Sequence, residues 1–259
     1  MQSLIPSNYY PIPSAHEPTL KKIVMNGQQQ PPADFQLQLY ICQCKKQNNE
    51  NIVGNFYTWS TILEFNRLIS DPEAMTLVKL AYGEMVTKSS GGVSAYISKN
   101  IPGAMTALII PTTTKTIVIL ASSMRKKSRS SLKQSYYLYS NQRLKEAVDK
   151  VSLPGIHRFE ACGELVAYHV WSRSTMYGSG NKPNIITWGI IENKVLGLKP
   201  PCSGLATDGL WGCFEFVSAN DIIPIAIPQA KSAPSLLETS LPTFQVLDHP
   251  GFDLVNLVS

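Results

Sequence analysis

The sequence predicts an α/β fold, and three stretches carry that prediction. After Asp71-Pro72-Glu73 the apolar residues Met75, Leu77, Val78, Leu80, Ala81 and Met85 recur at helical spacing and give a broad apolar face. Two short runs rich in β-branched residues, 105–110 and 116–121, flank Pro111-Thr112-Thr113-Thr114-Lys115 and read as a hairpin. Further on, residues 184–191 are apolar almost without a break, as in a strand covered on both faces.

Taken in order, residues 1–34 form a lead-in whose prolines (Pro11, Pro13, Pro18, Pro31 and Pro32), Tyr9-Tyr10 pair and Gln28-Gln29-Gln30 run suit an extended, weakly ordered segment. Phe35, Leu37, Leu39 and Ile41 alternate with polar neighbours, so 35–44 is expected as an amphipathic strand. A polar turn at 45–50, a returning strand at 52–59 and a helix at 61–69 would complete an N-terminal α/β extension, 35–70. The main domain is expected over 71–227. Its first helix opens with Asp71 as N-cap and Pro72 in the first turn, where the missing N–H costs nothing, and closes near Ser89-Ser90-Gly91-Gly92.

Behind the hairpin, Arg125, Lys126, Lys127, Arg129, Lys133 and Arg143 are interleaved with Tyr136, Tyr137 and Tyr139. Such a mixture meets phosphates and stacks on bases in single-strand binders, and it equally suits a solvated loop running into a helix at 141–151. Residues 162–177 read as a helix with Leu165, Val166, His169 and Val170 on a sheet-facing side, ended by Tyr177-Gly178-Ser179-Gly180. A helix at 211–217 and an edge strand at 221–227, demoted by Pro224, follow. The tail, 228–259, either wraps the domain or stays loose.

With 44% hydrophobic and 16% charged residues, the 259-residue chain has the composition of a folded protein with a sizeable core. No apolar run approaches the roughly 18 residues of a membrane span, and residues 1–19 do not form a signal peptide. The expectation is a soluble protein of the cytoplasm or nucleus that does not engage a membrane. A net charge of +5 permits an anionic ligand without demanding one. Five cysteines, an odd number without a secretory signal, favour reduced thiols, metal ligands or catalytic groups over a disulfide framework. Cys42 and Cys44 share one face of a strand and read as two partly buried thiols.

The remaining three cysteines stand in an order that suits zinc. Cys162, Cys202 and Cys213 can supply three thiolates and leave a fourth coordination position open, the pattern of a catalytic rather than a structural site. Glu164, two residues past the first of them, can move protons there. Three thiolates and one zinc ion sum to minus one. Helix N-termini at Cys162 and Cys202, with Arg158 or Lys199 nearby, would offset that charge.

Cys162-Gly163-Glu164, then a helix, a strand and Pro201-Cys202 followed by Cys213, resembles the zinc-dependent cytidine deaminase-like superfamily, whose signature is His-or-Cys-x-Glu with a later Pro-Cys-x-x-Cys. The Cys-x-Glu form is similar to the cytidine deaminase and polymorphic-toxin branches. Helix, hairpin and Cys-x-Glu helix also follow one another as in deaminase domains. The resemblance implies a three-layer fold with a central mixed sheet flanked by helices, carrying an N-terminal extension and a C-terminal tail. It implies Zn²⁺ on Cys162, Cys202 and Cys213, water on the metal as nucleophile, and Glu164 as proton shuttle in hydrolytic removal of an amine from cytosine or adenine. Ten residues, 203–212, separate the last two cysteines where the family usually has two, and Leu205 stands in the family's place for the third ligand.

The implied substrate is a base in nucleic acid or nucleotide. Free-nucleoside deaminases of this kind carry an Asn-x-Glu clamp on the second hairpin strand, and 116–123 lacks it. Ser122 and Ser123 are candidate contacts to sugar or phosphate, Arg125 to phosphate, and Trp188 is a candidate wall for the base, with core packing as its other reading. A deaminase-like module kept for binding or scaffolding is the second functional reading. A thiol enzyme pairing Cys162 with His157 or His169 is the third.

Overall fold

The computed structural model describes residues 10–11, 34–46, 49–90, 101–126, 142–151, 162–178, 182–191, 195–203, 211–227, 240–250 and 256–257. The sheet is built around a long strand, β3 (Asn49–Phe65), with β1 (Tyr10–Pro11) and β2 (Gln38–Lys46) before it. β4 (Ala104–Pro111), β5 (Thr116–Ser122) and β6 (Arg125–Lys126) follow, then β7 (Asn184–Ile190) and β8 (Leu196–Lys199). β9 (Ile223–Pro224), β10 (Phe244–Leu247) and β11 (Asn256–Leu257) complete it. The main path runs β1-β2-β3-β5-β4-β7-β8, antiparallel at every step. β9 beside β7 and β11 beside β2 are parallel, so the sheet is mixed. Because β3 pairs with β5, the sheet is continuous across residues 70 and 71.

Helices cover both faces. α1 (Asp71–Ser90) packs on one side, where Leu77, Val78, Ala81 and Met85 meet Met105, Ala107, Ile109, Val118, Leu120 and Ile186. α2 (Gln142–Asp149), α3 (Gly163–Arg173) and α4 (Cys213–Ala219) pack on the other, against Leu108, Ile110, Ile117, Ile119 and Ile185. Alternate residues of β4, β5 and β7 therefore feed two separate cores, the period-2 consequence of a sheet covered on both faces. This is a mixed α/β architecture in three layers. Among the described residues no helix is long and apolar enough to cross a membrane.

The predicted hairpin, α1, α3 and β7 are present close to their expected bounds, and Phe35, Leu37 and Leu39 are buried while Gln36 and Gln38 are exposed. The helix expected at 61–69 is absent. Thr61 to Phe65 finish β3, paired with β5 on one edge and β10 on the other. Ile62 enters one core, Leu63 and Phe65 the other, and a short apolar run cannot separate strand from helix by periodicity alone.

The start of α1 also differs. Asp71 is already helical, and Ser70 is the cap: its carbonyl accepts from the Ala74 N–H at 2.9 Å. Glu73 Oε2 in turn accepts from the Ser70 N–H at 2.8 Å, which is the carboxylate half of a capping box. Arg67 pairs with the same carboxylate and, foremost among the causes, holds the Glu73 pKa down at about 2.

Two contacts tie the outlying segments in. Glu84 on α1 is buried and accepts from the backbone N–H groups of Phe35 (2.7 Å) and Leu37 (2.9 Å), with Lys88 paired to it at 2.8 Å. The described part of the tail packs on the sheet: β10 pairs with β3, and His249 stacks on Tyr40 with its Nε2 3.0 Å from Ser60 Oγ.

Candidate metal centre

The site forms where α3 and α4 begin. Cys162 is the N-cap of α3, in extended backbone (φ −67°, ψ 142°), and its carbonyl accepts from the Val166 N–H at 3.2 Å. Gly163 then lets the helix settle on the sheet. A Cβ there would lie 2.4 Å from Thr106 Oγ1 and 3.0 Å from the Ala121 carbonyl oxygen, closer than a side chain can approach. The glycine inside Cys-Gly-Glu is thus a packing requirement of the sheet beneath it.

Cys202 follows β8 in irregular backbone, and Cys213 is the first residue of α4. Cys202 was expected at a helix N-terminus; instead Cys213 occupies one and donates its own N–H to Cys202 Sγ at 3.3 Å. The Phe214 N–H donates to the Cys202 carbonyl at 2.9 Å, so two hydrogen bonds to Cys202, one on its sulfur and one on its carbonyl, hold these segments together despite the long spacing. Leu205 lies outside the described residues.

The sulfurs of Cys162, Cys202 and Cys213 all lie within 4.8 Å of one another, and Cys162 Sγ is 3.8 Å from Cys202 Sγ. That is far beyond a disulfide bond of about 2.05 Å. Tetrahedral zinc with Zn–S bonds of about 2.3 Å places its sulfurs about 3.8 Å apart, the spacing of Cys162 and Cys202, and the third sulfur stands close enough for the three to bind a metal ion.

Glu164 points into this cluster from the first turn of α3. Its Oε1 accepts from Thr187 Oγ1 at 3.0 Å, and its Oε2 accepts from the Cys213 thiol at 3.5 Å. Thr187 in β7 stands directly opposite Thr106 in β4, and their hydroxyl oxygens are 2.8 Å apart. Burial pushes the Glu164 carboxyl up, with the Thr187 and Cys213 hydrogen bonds opposing it. The Cys162 thiol is raised first by its contact with Cys202, and Cys213 first by burial. Crowded, buried thiols resist ionisation one by one; a bound cation reverses that preference by holding them as thiolates.

The other sequence candidates lie elsewhere. Ser122 is fully buried within the sheet, its Oγ accepting from the Trp59 N–H at 2.9 Å and lying 3.1 Å from Thr58 Oγ1. Ser123 is half-buried just past β5, and Arg125 lies in β6 opposite Tyr57. Trp188, one residue beyond Thr187, belongs to the opposite face and packs with the α1 core, so the fold does not bring it to the cysteines. His169 is buried in α3, Lys199 is exposed at the end of β8, and His157 and Arg158 lie outside the described residues, as does most of the basic, tyrosine-rich segment. Thr106 and Thr187 are the site residues that sequence reading passed over. Their signal was a hydroxyl inside each of two otherwise apolar strands.

No protein-family model, curated protein or solved structure matches the chain. Fold and site together define a class: a mixed α/β protein with three cysteines close enough together to bind a metal ion.

Proposed function

We propose that the chain is a zinc-dependent hydrolytic deaminase acting on cytosine or adenine within a nucleic acid or nucleotide. The observation that carries this reading is the setting of Glu164: a buried carboxylate with one oxygen anchored on Thr187 and the other turned to a three-cysteine cluster at 3.5 Å from Cys213 Sγ. Cys162, Cys202 and Cys213 are the residues that would hold zinc, and the ion, when bound, supplies Lewis acidity toward a water molecule.

Glu164 Oε2 would take one proton from such a water and pass it to the ring nitrogen, and would then carry the second, from the hydroxyl added to the ring carbon, to the amine that leaves as ammonia. The reaction balances as amine plus water to carbonyl plus ammonia. The α3 N-terminus lies beside the cluster and offers positive potential to the sulfurs. The three-layer arrangement, with the Cys-x-Glu helix directly behind the hairpin strands, agrees with the deaminase resemblance. The choice of a polymer or nucleotide over a free nucleoside rests on the missing Asn-x-Glu in 116–123.

The test is a screen of single-stranded DNA and RNA oligonucleotides and nucleotides for base conversion, read by mass, with wild type beside Glu164→Gln. Conversion by the wild type, lost in the variant while zinc content stays equal, supports the reading. Equal conversion by both proteins removes Glu164 from the chemistry. A zinc-loaded wild type inert on every substrate favours the binding-module reading instead.

A further inference from the structure

We infer that Thr187, backed by Thr106, is a positioning residue that decides which oxygen of Glu164 faces the cysteine cluster; the inference rests on Glu164 being the proton shuttle. Thr187 Oγ1 donates its single hydroxyl proton to Glu164 Oε1, 3.0 Å away. Thr187 Oγ1 is then an acceptor toward Thr106, and the 2.8 Å contact between them runs from Thr106 to Thr187. The chain of donors has one sense, Thr106 to Thr187 to Glu164, and each bond polarises the next.

All three side chains are buried, at 0%, 3% and 6% exposure, so water does not compete for these partners. Oε1 is therefore occupied and Oε2 is left toward Cys213 Sγ. The same pair sets the height of the helix above the sheet. Thr106 Oγ1 is the atom that a Cβ at position 163 would strike, so the hydroxyl that starts the chain also abuts the turn carrying Cys162 and Glu164.

The pairing sits on two strands in direct register, Thr106 opposite Thr187, and does not depend on a loop. Rigid elements hold a proton-transfer group better than loops do. Nothing else in β4 or β7 on that face could replace the donor: the neighbouring inward residues, Leu108 and Ile185, are aliphatic.

The experiment uses the full-length chain and infrared difference spectroscopy, with Glu164→Gln subtracted to isolate the Glu164 carboxyl band. Thr187→Val keeps the shape and removes the hydroxyl; the band is expected to shift. Thr187→Ser restores the wild-type position, and Thr106→Val shifts the band in the same direction as Thr187→Val but by less. Zinc affinity, measured by competition with a chromophoric chelator, stays unchanged in all three. A band unmoved in Thr187→Val overturns the inference. Should that variant lose its cooperative melt, the remaining pair decides: Thr106→Val shifted with Thr187→Ser at the wild-type position supports it, and Thr106→Val unmoved overturns it. Zinc binding separates the two proposals. A shifted band in a protein that takes up no zinc sinks the deaminase reading and supports the positioning, whereas bound zinc with an unmoved band does the reverse.

Discussion

Replacing Gly163 by alanine tests how the metal centre is seated. The added Cβ would meet Thr106 Oγ1 at 2.4 Å, the Ala121 carbonyl oxygen at 3.0 Å and Thr106 Cβ at 3.1 Å. Thr106 is held by Thr187 and Ala121 by the sheet, so α3 must move instead. Overpacking of this kind costs about 1–3 kcal/mol, and the better helix propensity of alanine returns up to about 1 kcal/mol. With the full offset the net is a loss of up to about 2 kcal/mol, or a fall in Tm of up to about 8 °C for a chain of this size. Lifting the first turn also draws Cys162 away from Cys202, so zinc retention after dialysis against a weak chelator should drop. Gly83 in α1 is the control, since a Cβ there meets nothing within 4 Å. Gly83→Ala should raise stability by about 0.5–1 kcal/mol, the ordinary difference between the two residues in a helix. Thermal melts of the two variants should therefore move in opposite directions. If Gly163→Ala melts at or above the wild type with full zinc retention, the close seating of α3 is wrong.

Two further predictions concern the packing that holds the sheet together. Burial, with Arg173 adding to it, holds the His249 pKa down from 6.5 to about 3. A depressed folded-state value means that the contribution is complete above pH 6.5 and is lost as pH falls toward 3. At pH 4 that linkage is worth about 3 kcal/mol, so wild type should lose about that much more than His249→Asn between pH 7 and pH 4 in urea titrations; parallel losses would contradict it. Glu84→Gln leaves one of the Phe35 and Leu37 N–H groups without its charged acceptor and should cost about 2–3 kcal/mol, whereas a loss below about 0.5 kcal/mol would show that the clamp does not hold the 35–37 segment.

Much of this was legible in the sequence, for identifiable reasons. β4, β5 and β7 are short, apolar and rich in β-branched residues, and turn residues separate the first two, which together mark strands covered on both faces, while α1 carries apolar residues at helical spacing. Cys162 and Glu164 two residues apart marked the site because a thiol that can ligate a metal then has a proton-carrying carboxylate beside it. What was hidden depended on partners far away in sequence. Residues 61–65 gave no period to choose by, and became strand because β5 and β10 lie alongside. Ser70 lost the cap to Asp71 in the reading because either type caps well, although Glu73 three residues past Ser70 completes the capping-box spacing. Trp188 had two readings, pocket wall and core packing, and register decides for the core by putting it one residue out of phase with Thr187. The long gap between Cys202 and Cys213 says nothing about distance, because loop closure costs little entropy; the hydrogen bonds from the Cys213 and Phe214 N–H groups to the Cys202 sulfur and carbonyl show that its ends meet.

The central claim is that three cysteines separated by up to 51 positions form one zinc site. Elemental mass spectrometry of the purified, tag-free protein, with Cys162→Ala and Cys213→Ala alongside, addresses it directly. The account predicts one zinc per chain in the wild type and its loss in both variants. A wild type without zinc under zinc-replete conditions, or a Cys213→Ala protein that keeps its full complement, would contradict it.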